Sequence, residues 1–246
     1  VEEAGFPAAA TTSAGIANSL GYSDGQRIGR DEMLRVVERI AAAVSIPVTA
    51  DMEAGYGMTP KEVAETARAV IGAGAVGMNF EDGTGRPNQP LEDLSLQIEK
   101  ICAIREAAVS SGVPLVLNAR TDVYLRAVGD PAGRLEHSIL RANAYSEAGA
   151  DCLFVPGARD EEVIRHLVRG IRGPLNVLAG PGTPGVRDLE RIGVARVSMG
   201  SGPMRATLAL VRRIARELLE NGAYTAFTDD AIPYEEANRL FENRAP

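Results

Sequence analysis

Apolar runs of strand length alternate with amphipathic stretches of helix length along this chain, and that alternation constrains the fold most. The runs are residues 6–12, 46–51, 76–82, 114–122, 151–156, 174–180 and 195–200. Helix-like stretches lie at 30–43, 60–72, 94–110, 134–148, 160–169, 185–192 and 203–221. Met33, Val36, Val37 and Ile40 repeat at helical spacing. Asp31 reads as the cap of that first helix. Thr59-Pro60 supplies a cap and a first-position proline for the next. Strands that are almost continuously apolar are buried on both faces, which is the situation of a parallel sheet covered by helices.

About seven strand–helix units fall one short of a closed barrel. The chain opens on Val1-Glu-Glu-Ala-Gly5 rather than on Met, and this segment reads as the last turn of a helix closed by a glycine cap. The expectation is therefore an α/β fold of the (β/α)8 TIM-barrel type, with its first strand upstream of Val1. A doubly wound open sheet is the alternative. A single barrel domain fits residues 1–246, with 222–246 as a helical tail and helical character at 234–241.

Composition narrows the partners. A formal net charge of −7 argues against nucleic acid and anionic membrane. No apolar run reaches membrane-spanning length, and no signal peptide opens the chain. Cys102 and Cys152 match no metal or redox spacing and read as reduced, buried thiols, which makes the cytoplasm the expected compartment.

In a barrel the chemistry collects at the C-terminal strand ends. Those ends carry Thr12 and Ser13, Asp51 and Glu53, Glu81 and Asp82, Asn118 and Arg120, Asn176, and Ser198. Side chains two apart on an extended strand share a face, so Asp51 and Glu53 would point into one space if the strand lasts that long. Gly55 and Gly57 let the chain turn tightly beside it. Oxygen-only donors suit a hard divalent cation, Mg2+ first. One cation, several acids, one arginine and several neutral donors suit a small anion bearing carboxylates. Blander readings stand beside these: a solvated acidic loop at 51–53, an ion pair of Arg120 with Asp122 or Glu81, a core hydrogen bond at Asn176, and a capping or pairing role for Asp82. Residues 83–90, Gly-Thr-Gly-Arg-Pro-Asn-Gln-Pro, read as an irregular loop.

Ala50-Asp-Met-Glu-Ala-Gly-Tyr-Gly57, Asn79-Phe-Glu-Asp82 and Asn118-Ala-Arg-Thr-Asp122 together resemble the isocitrate lyase / phosphoenolpyruvate mutase superfamily. Phe6-Pro-Ala-Ala-Ala-Thr-Thr-Ser13, Tyr145-Ser-Glu-Ala-Gly-Ala-Asp151 and Val197-Ser-Met-Gly200 extend the resemblance over nearly the whole chain. It implies a (β/α) barrel, usually a homotetramer whose C-terminal helix swaps between neighbouring subunits, with a homodimer as the smaller option. It also implies Mg2+ and a small 2-oxo acid of the oxaloacetate or 2-oxoglutarate class, handled through enolate-like states. On this resemblance Asp51 is the acid nearest the metal, Glu53 and Glu81 hold it through water, and Asp24 is a further outer acid. Arg120 pairs with the substrate carboxylate. The backbone N–H groups of Ser13, Ala14 and Gly15 hold the 2-oxo acid, although Ala14 replaces the usual glycine. Asn176 is a further substrate-binding candidate.

The resemblance fails in one place. Isocitrate and methylisocitrate lyases carry Lys-Lys-Cys-Gly-His after the acid, whereas this chain has neither Cys nor His within 83–90. Asn88 lies near the asparagine of mutase-like members but lacks their neighbouring lysine, and Pro156 stands where the mutase has histidine. What the resemblance leaves is Mg2+-dependent C–C cleavage of lyase, oxaloacetate hydrolase or decarboxylase type. Arg120, Asn88 and Glu81 are the catalytic candidates, and 83–90 would be a closing loop. Three alternatives remain: a C–P mutase or hydrolase of phosphonopyruvate type, a noncatalytic 2-oxo-acid binder, and a phosphate-binding isomerase or synthase barrel using the glycines of 180–185 and 200–204.

Overall fold

A computed structural model of the chain describes residues 1–229 and 231–242. In chain order its elements are β1 (Ala9–Ala10), α1 (Ser13–Ser19), α2 (Arg30–Ala42), β2 (Val48–Asp51), α3 (Pro60–Gly72), β3 (Gly77–Glu81), β4 (Gly83–Arg86), β5 (Gln89–Leu91) and α4 (Leu94–Ser110). There follow β6 (Val116–Arg120), α5 (Arg134–Glu147), β7 (Cys152–Phe154), α6 (Glu161–Gly170), β8 (Leu175–Leu178), α7 (Val186–Ile192), β9 (Arg196–Ser198), α8 (Gly202–Asn221), α9 (Thr225–Thr228) and α10 (Tyr234–Arg239).

Seven strands form one sheet in the order β1-β2-β3-β6-β7-β8-β9, and every pairing is parallel. The order never reverses, so the sheet lacks the switch point of a doubly wound fold. It curls: Arg196 Nη2 on β9 lies 3.2 Å from Thr49 Oγ1 on β2. The register aligns Asp51 with Asn79, Asn118 and Cys152. It also aligns Glu81 with Arg120, Phe154, Asn176 and Arg196. Side chains of one parity form the concave face, which is mostly polar. The other parity supplies Ala50, Met78, Phe80, Leu117, Ala119, Leu153 and Val177, which pack in the core with Val63, Ala67, Val70, Ile101 and Ile104 of α3 and α4. The strands thus alternate, because the inner face of the curl carries hydrogen-bonding groups instead of a second apolar layer.

Local signals explain some helix starts. Thr59 and Glu62 form a reciprocal capping box ahead of α3, a device that stabilises a helix by about 1 kcal/mol. The Asp160 side chain caps α6 by accepting from Val163 N at 3.0 Å. Gly55 adopts φ +81°, and a Cβ there would meet the Phe80 ring at 2.8 Å, so the chain passes under Phe80 only as glycine.

Several expectations change. β1 covers only Ala9–Ala10. Ser13–Gly15, expected to hold a ligand with its backbone N–H groups, opens α1, which the Thr12 side chain caps. Asp31 is not a cap but lies within the first turn of α2, whose N-cap is Gly29. Residues 83–90 are not irregular: β4 and β5 pair antiparallel around a turn at Pro87 and Asn88. Thr84 ties that hairpin through its hydroxyl, which donates to Gln89 O and accepts from Arg86 N at 3.0 Å. Val1–Gly5 forms a turn in which Gly5 N donates to Glu2 O at 2.8 Å with Gly5 at φ +83°. The expected tail 222–246 includes α9 and α10, whereas 230 and 243–246 lie outside the described residues.

Candidate active site

Asp51 closes β2. Its N–H donates to Thr11 Oγ1 at 2.9 Å, which anchors the strand end to the segment after β1. Asp51 Oδ2 accepts from Ser13 N and from Ser13 Oγ, each at 2.9 Å. Its Oδ1 is buried without a hydrogen bond. An unpaired carboxylate oxygen removed from water is costly unless something electropositive faces it. Two of the backbone N–H groups expected to hold a ligand are engaged: Ser13 N by Asp51, and Gly15 N by Thr12 Oγ1 at 3.5 Å. Ala14 sits half-buried between them.

Glu53 reaches the same place by a different route from the one expected. The strand ends at Asp51, so alternation along it does not aim Glu53. Instead Glu53 takes a left-handed conformation (φ +50°), and so do Tyr56 (+54°) and Gln26 (+54°). Non-glycine residues held this way cost of order 1–3 kcal/mol each and persist only where surrounding contacts enforce them. Those contacts are Gln26 N donating to Glu53 Oε2 at 2.8 Å, Tyr56 OH donating to Oε1 at 3.3 Å, and Glu81 N donating to Glu53 O at 2.9 Å. Burial, then the charges of Asp24 and Asp51, push the Glu53 carboxyl up to about 7. Asp24 is exposed but joins the group, with its Oδ1 3.4 Å from Ser13 Oγ.

Glu81 and Arg120 end neighbouring strands in register. Arg120 Nη1 lies 2.7 Å from Glu81 Oε2, while its Nε and Nη2 clasp Asp122 at 2.6 and 3.1 Å. Its guanidinium also stacks over Phe154 at 5.8 Å. Three of the five N–H groups of this side chain are thereby used, and one on each terminal nitrogen stays open. Burial drives the Glu81 carboxyl well upward; Arg120 opposes this, and Asp122, Asp51 and Glu53 add to it. For Arg120, burial works against the charge but Glu81 and Asp122 outweigh it, so the cation is held more firmly than usual.

Asp82 does not face the acids. It is buried with Oδ2 accepting from Tyr145 OH at 2.7 Å and Arg141 Nε at 2.8 Å, and Oδ1 accepting from Asp122 N at 2.8 Å. It therefore holds Asp122, which in turn holds Arg120. Asn176 is fully buried and hydrogen-bonded to Ser198 Oγ at 2.9 Å, the core-bond reading of that residue. Asn88 stands exposed at the hairpin tip, outside the residues lining the adjoining cleft.

That cleft, of about 590 Å3, is lined by residues of the segments 25–29 and 53–62, by Glu81 and the hairpin, and by the first turns of α4. Arg86, Glu92, Gln97, Lys100 and Arg126 line it, and of these only Arg86 falls in a stretch, 83–90, that the sequence singles out. Nothing in the motif spacing marks them, because hairpin and helix meet only after folding. Asp51 and Arg120 do not line this cleft. The acids and the cleft are neighbours that share Glu53 and Glu81.

Among the described residues, no three His, Cys, Asp or Glu side chains stand close enough together to ligate one metal ion directly. The donor set still fits Mg2+ in the way that ion prefers, with few direct protein ligands and several waters. Asp51 Oδ1 is the open, buried oxygen, and Glu53, Asp24 and Glu81 surround it as outer acids whose mutual repulsion a cation would relieve.

Residues 1–219 match the profile of the phosphoenolpyruvate phosphomutase family. The solved structure of a candidate lyase/mutase from Burkholderia cenocepacia J2315 superposes with a TM-score of 0.91 at 41% identity, covering 99% of this chain and 85% of that one. The 2-methylisocitrate lyase of Escherichia coli (strain K12) is 30% identical over 86% of this chain and 71% of its own length. An oxaloacetate acetylhydrolase in complex with oxalate has a TM-score of 0.84 at 26% identity, covering 98% of this chain and 82% of that one. A phosphonopyruvate hydrolase in complex with oxalate and Mg++ has a TM-score of 0.83 at 26% identity, covering 97% and 84%. The curled parallel sheet, the strand-end residues and these matches together place the chain in the phosphoenolpyruvate mutase / isocitrate lyase superfamily of TIM-barrel enzymes.

Proposed function

We propose that this chain is a Mg2+-dependent enzyme that binds a small 2-oxo acid and cleaves the C–C bond beside its oxo group, as a lyase, oxaloacetate hydrolase or decarboxylase. The observation that carries the reading is the Asp51 carboxylate, with one oxygen fastened to Ser13 and the other buried, unbonded and surrounded by acids. Bound Mg2+ would supply Lewis-acid stabilisation of the charge that develops as the bond breaks.

The chain's own residues do the rest. Ser13 fixes the rotamer of Asp51, and the left-handed turn at Glu53 brings a second carboxylate beside it. Arg120, locked by Glu81 and Asp122, offers its two open N–H groups to a substrate carboxylate without having to be ordered on binding. The Ala14 backbone completes the binding residues in this reading, and Asn176 supports them from the core through its bond to Ser198. Glu81 orients Arg120, and closure of the β4–β5 hairpin would exclude water and carry Asn88 toward the ligand.

The unit is read as one barrel domain, cytoplasmic, with both thiols unpaired. Among the described residues no helix is long and apolar enough to cross a membrane. Helix α8 buries none of its residues and exposes Leu208, Leu210, Val211, Leu218 and Leu219, which fits cover by another copy in a homodimer or homotetramer.

Calorimetric titration of oxalate with and without Mg2+, followed by turnover assays on oxaloacetate and phosphonopyruvate, tests the reading. Mg2+-dependent oxalate binding with turnover of oxaloacetate is the expected result. Turnover of phosphonopyruvate alone would move the assignment to C–P cleavage, and no Mg2+-dependent binding would overturn it.

A further inference from the structure

We infer that Arg126 is a positioning residue for the reaction: by sharing the Asp122 carboxylate it keeps the Arg120 guanidinium turned toward the substrate space. The inference rests on the role proposed for Arg120 above.

Glu81, Arg120, Asp122 and Arg126 alternate in sign around a ring. Arg120 Nη1 lies 2.7 Å from Glu81 Oε2, and Arg120 Nε lies 2.6 Å from Asp122 Oδ1. Asp122 Oδ2 is shared, because Arg126 Nε donates to it at 2.8 Å and Arg120 Nη2 at 3.1 Å. The fourth link, Arg126 Nη2 to Glu81 Oε1, is open at 3.9 Å. The Asp122 side chain is fully buried, so these two guanidiniums answer its charge in place of water. A carboxylate and an arginine fork favour two parallel short bonds. Arg126 takes the closer contact to Oδ2 and leaves Arg120 the longer one. With Arg126 gone, one guanidinium faces two carboxylates, and Oδ2 turns wholly to Arg120. The Arg120 fork then closes onto Asp122, and its two open N–H groups lose their aim.

Local contacts fix Arg126 in its place. Its N–H donates to Asp122 O at 2.9 Å. The next residue, Ala127, is left-handed at φ +51°. Arg134 holds that turn by donating to Val128 O at 3.3 Å, Ala127 O at 3.1 Å and Gly129 O at 3.2 Å. Strain of this kind persists where surrounding contacts enforce it, and here it aims one side chain at a buried carboxylate. On the other side a Cβ on Gly83 would lie 2.9 Å from Arg126 Nε and Nη2, so the root of the hairpin backs the guanidinium. The Arg126 side chain is still 36% exposed and lines the cleft, so a small cation can reach its place once the side chain is removed.

Calorimetric titration of oxalate with Mg2+ on wild type, Arg126→Ala and Arg126→Lys tests this. Arg126→Ala should weaken oxalate about tenfold through the misaimed Arg120. Millimolar guanidinium chloride should restore most of that loss, and the same concentration of sodium chloride should not. Arg126→Lys should show an intermediate loss, since an ammonium supplies the charge without the fork; it also serves if Arg126→Ala fails to fold. Unchanged oxalate affinity in both variants, or a loss in Arg126→Ala that guanidinium leaves in place, overturns the inference. A second readout needs no ligand. In protein carrying isotope-labelled arginine, the Arg120 Nε–H resonance, identified by its loss in Arg120→Lys, should shift in both Arg126 variants. A resonance that stays in place overturns the inference. Absence of Mg2+-dependent oxalate binding to the wild-type chain would overturn the proposed function, while this resonance still decides whether Arg126 positions Arg120.

Discussion

One oxygen of Asp51 accepts both the N–H and the hydroxyl of Ser13 at 2.9 Å, while the other is buried with no partner. The asymmetry separates holding from function. Oδ2 keeps the side chain in place, and Oδ1 is left to meet something absent from the polypeptide.

Asp51→Asn should therefore separate stability from binding. The amide keeps the size but removes one negative charge from a cluster with Glu53 and Asp24. The variant is expected to melt no lower than the wild type without metal. Its Mg2+-dependent oxalate binding should fall by more than the roughly 10–100-fold typical of a lost outer-sphere partner. Thermal shift and calorimetry on the same preparations read both quantities.

The pH dependence of stability should carry the mark of Glu53. Its carboxyl is raised from 4.5 to about 7 by burial, then by Asp24 and Asp51. The folded chain thus holds a proton that the unfolded chain releases. That contribution is fully present below about 4.5 and is lost as pH rises through about 7, an effect of up to about 3 kcal/mol. Without metal, denaturant-derived stability should decline between pH 5 and 7 by about 1.4 kcal/mol per unit for this one proton. Glu53→Gln should flatten the decline by that amount, and Mg2+ should reduce it, since a cation favours the ionised form. A slope unchanged in Glu53→Gln would contradict the assignment.

Asp82 should prove structural. It accepts hydrogen bonds from Tyr145, Arg141 and the Asp122 backbone. Asp82→Ala would leave the Arg141 guanidinium buried without its partner, and a loss of about 3–5 kcal/mol is expected. Tyr145→Phe removes the hydrogen bond donated to Asp82 and the one accepted from Arg141 Nε, and should cost about 1.5–3 kcal/mol. Urea unfolding measures both. A change in either below about 0.5 kcal/mol would show that the network contributes little.

Gly83 packs where almost no side chain fits. A Cβ there would lie 2.7 Å from Asp122 Oδ2 and 2.9 Å from two guanidinium nitrogens of Arg126. Gly83→Ala should destabilise by about 1–3 kcal/mol through crowding of that pair. Arg126→Ala relieves part of the crowding, so the double variant should be less destabilised than the sum of the single ones. Strict additivity would place the strain elsewhere.

The hairpin at 83–90 shows where reading the sequence stopped short. Gly, Pro and Asn there signal broken structure, and two of the three do form the turn. The pairing of Gly83 with Leu91 is held by the Thr84 hydroxyl within the hairpin and by Arg141, which reaches Glu92 O at 2.6 Å from far along the chain. The cleft residues escaped for the same reason. Gln97 and Lys100 look like ordinary helix positions until the hairpin folds over them.

What the sequence alone determined was the repeating strand–helix order, the helix boundaries at Thr59 and Asp160, and the carboxylates that end β2 and β3. Those are local properties, written in the period of apolar residues and in the side chains that cap helix ends. Tertiary structure alone decided how the acids meet. Glu53 joins Asp51 not by strand alternation but through a left-handed turn held by Gln26 and Tyr56. Arg120 is aimed by Asp122, which is positioned by a buried Tyr145–Arg141–Asp82 network. Backbone strain and buried charge pairs are sustained only when distant segments close around them, so no local pattern reveals them.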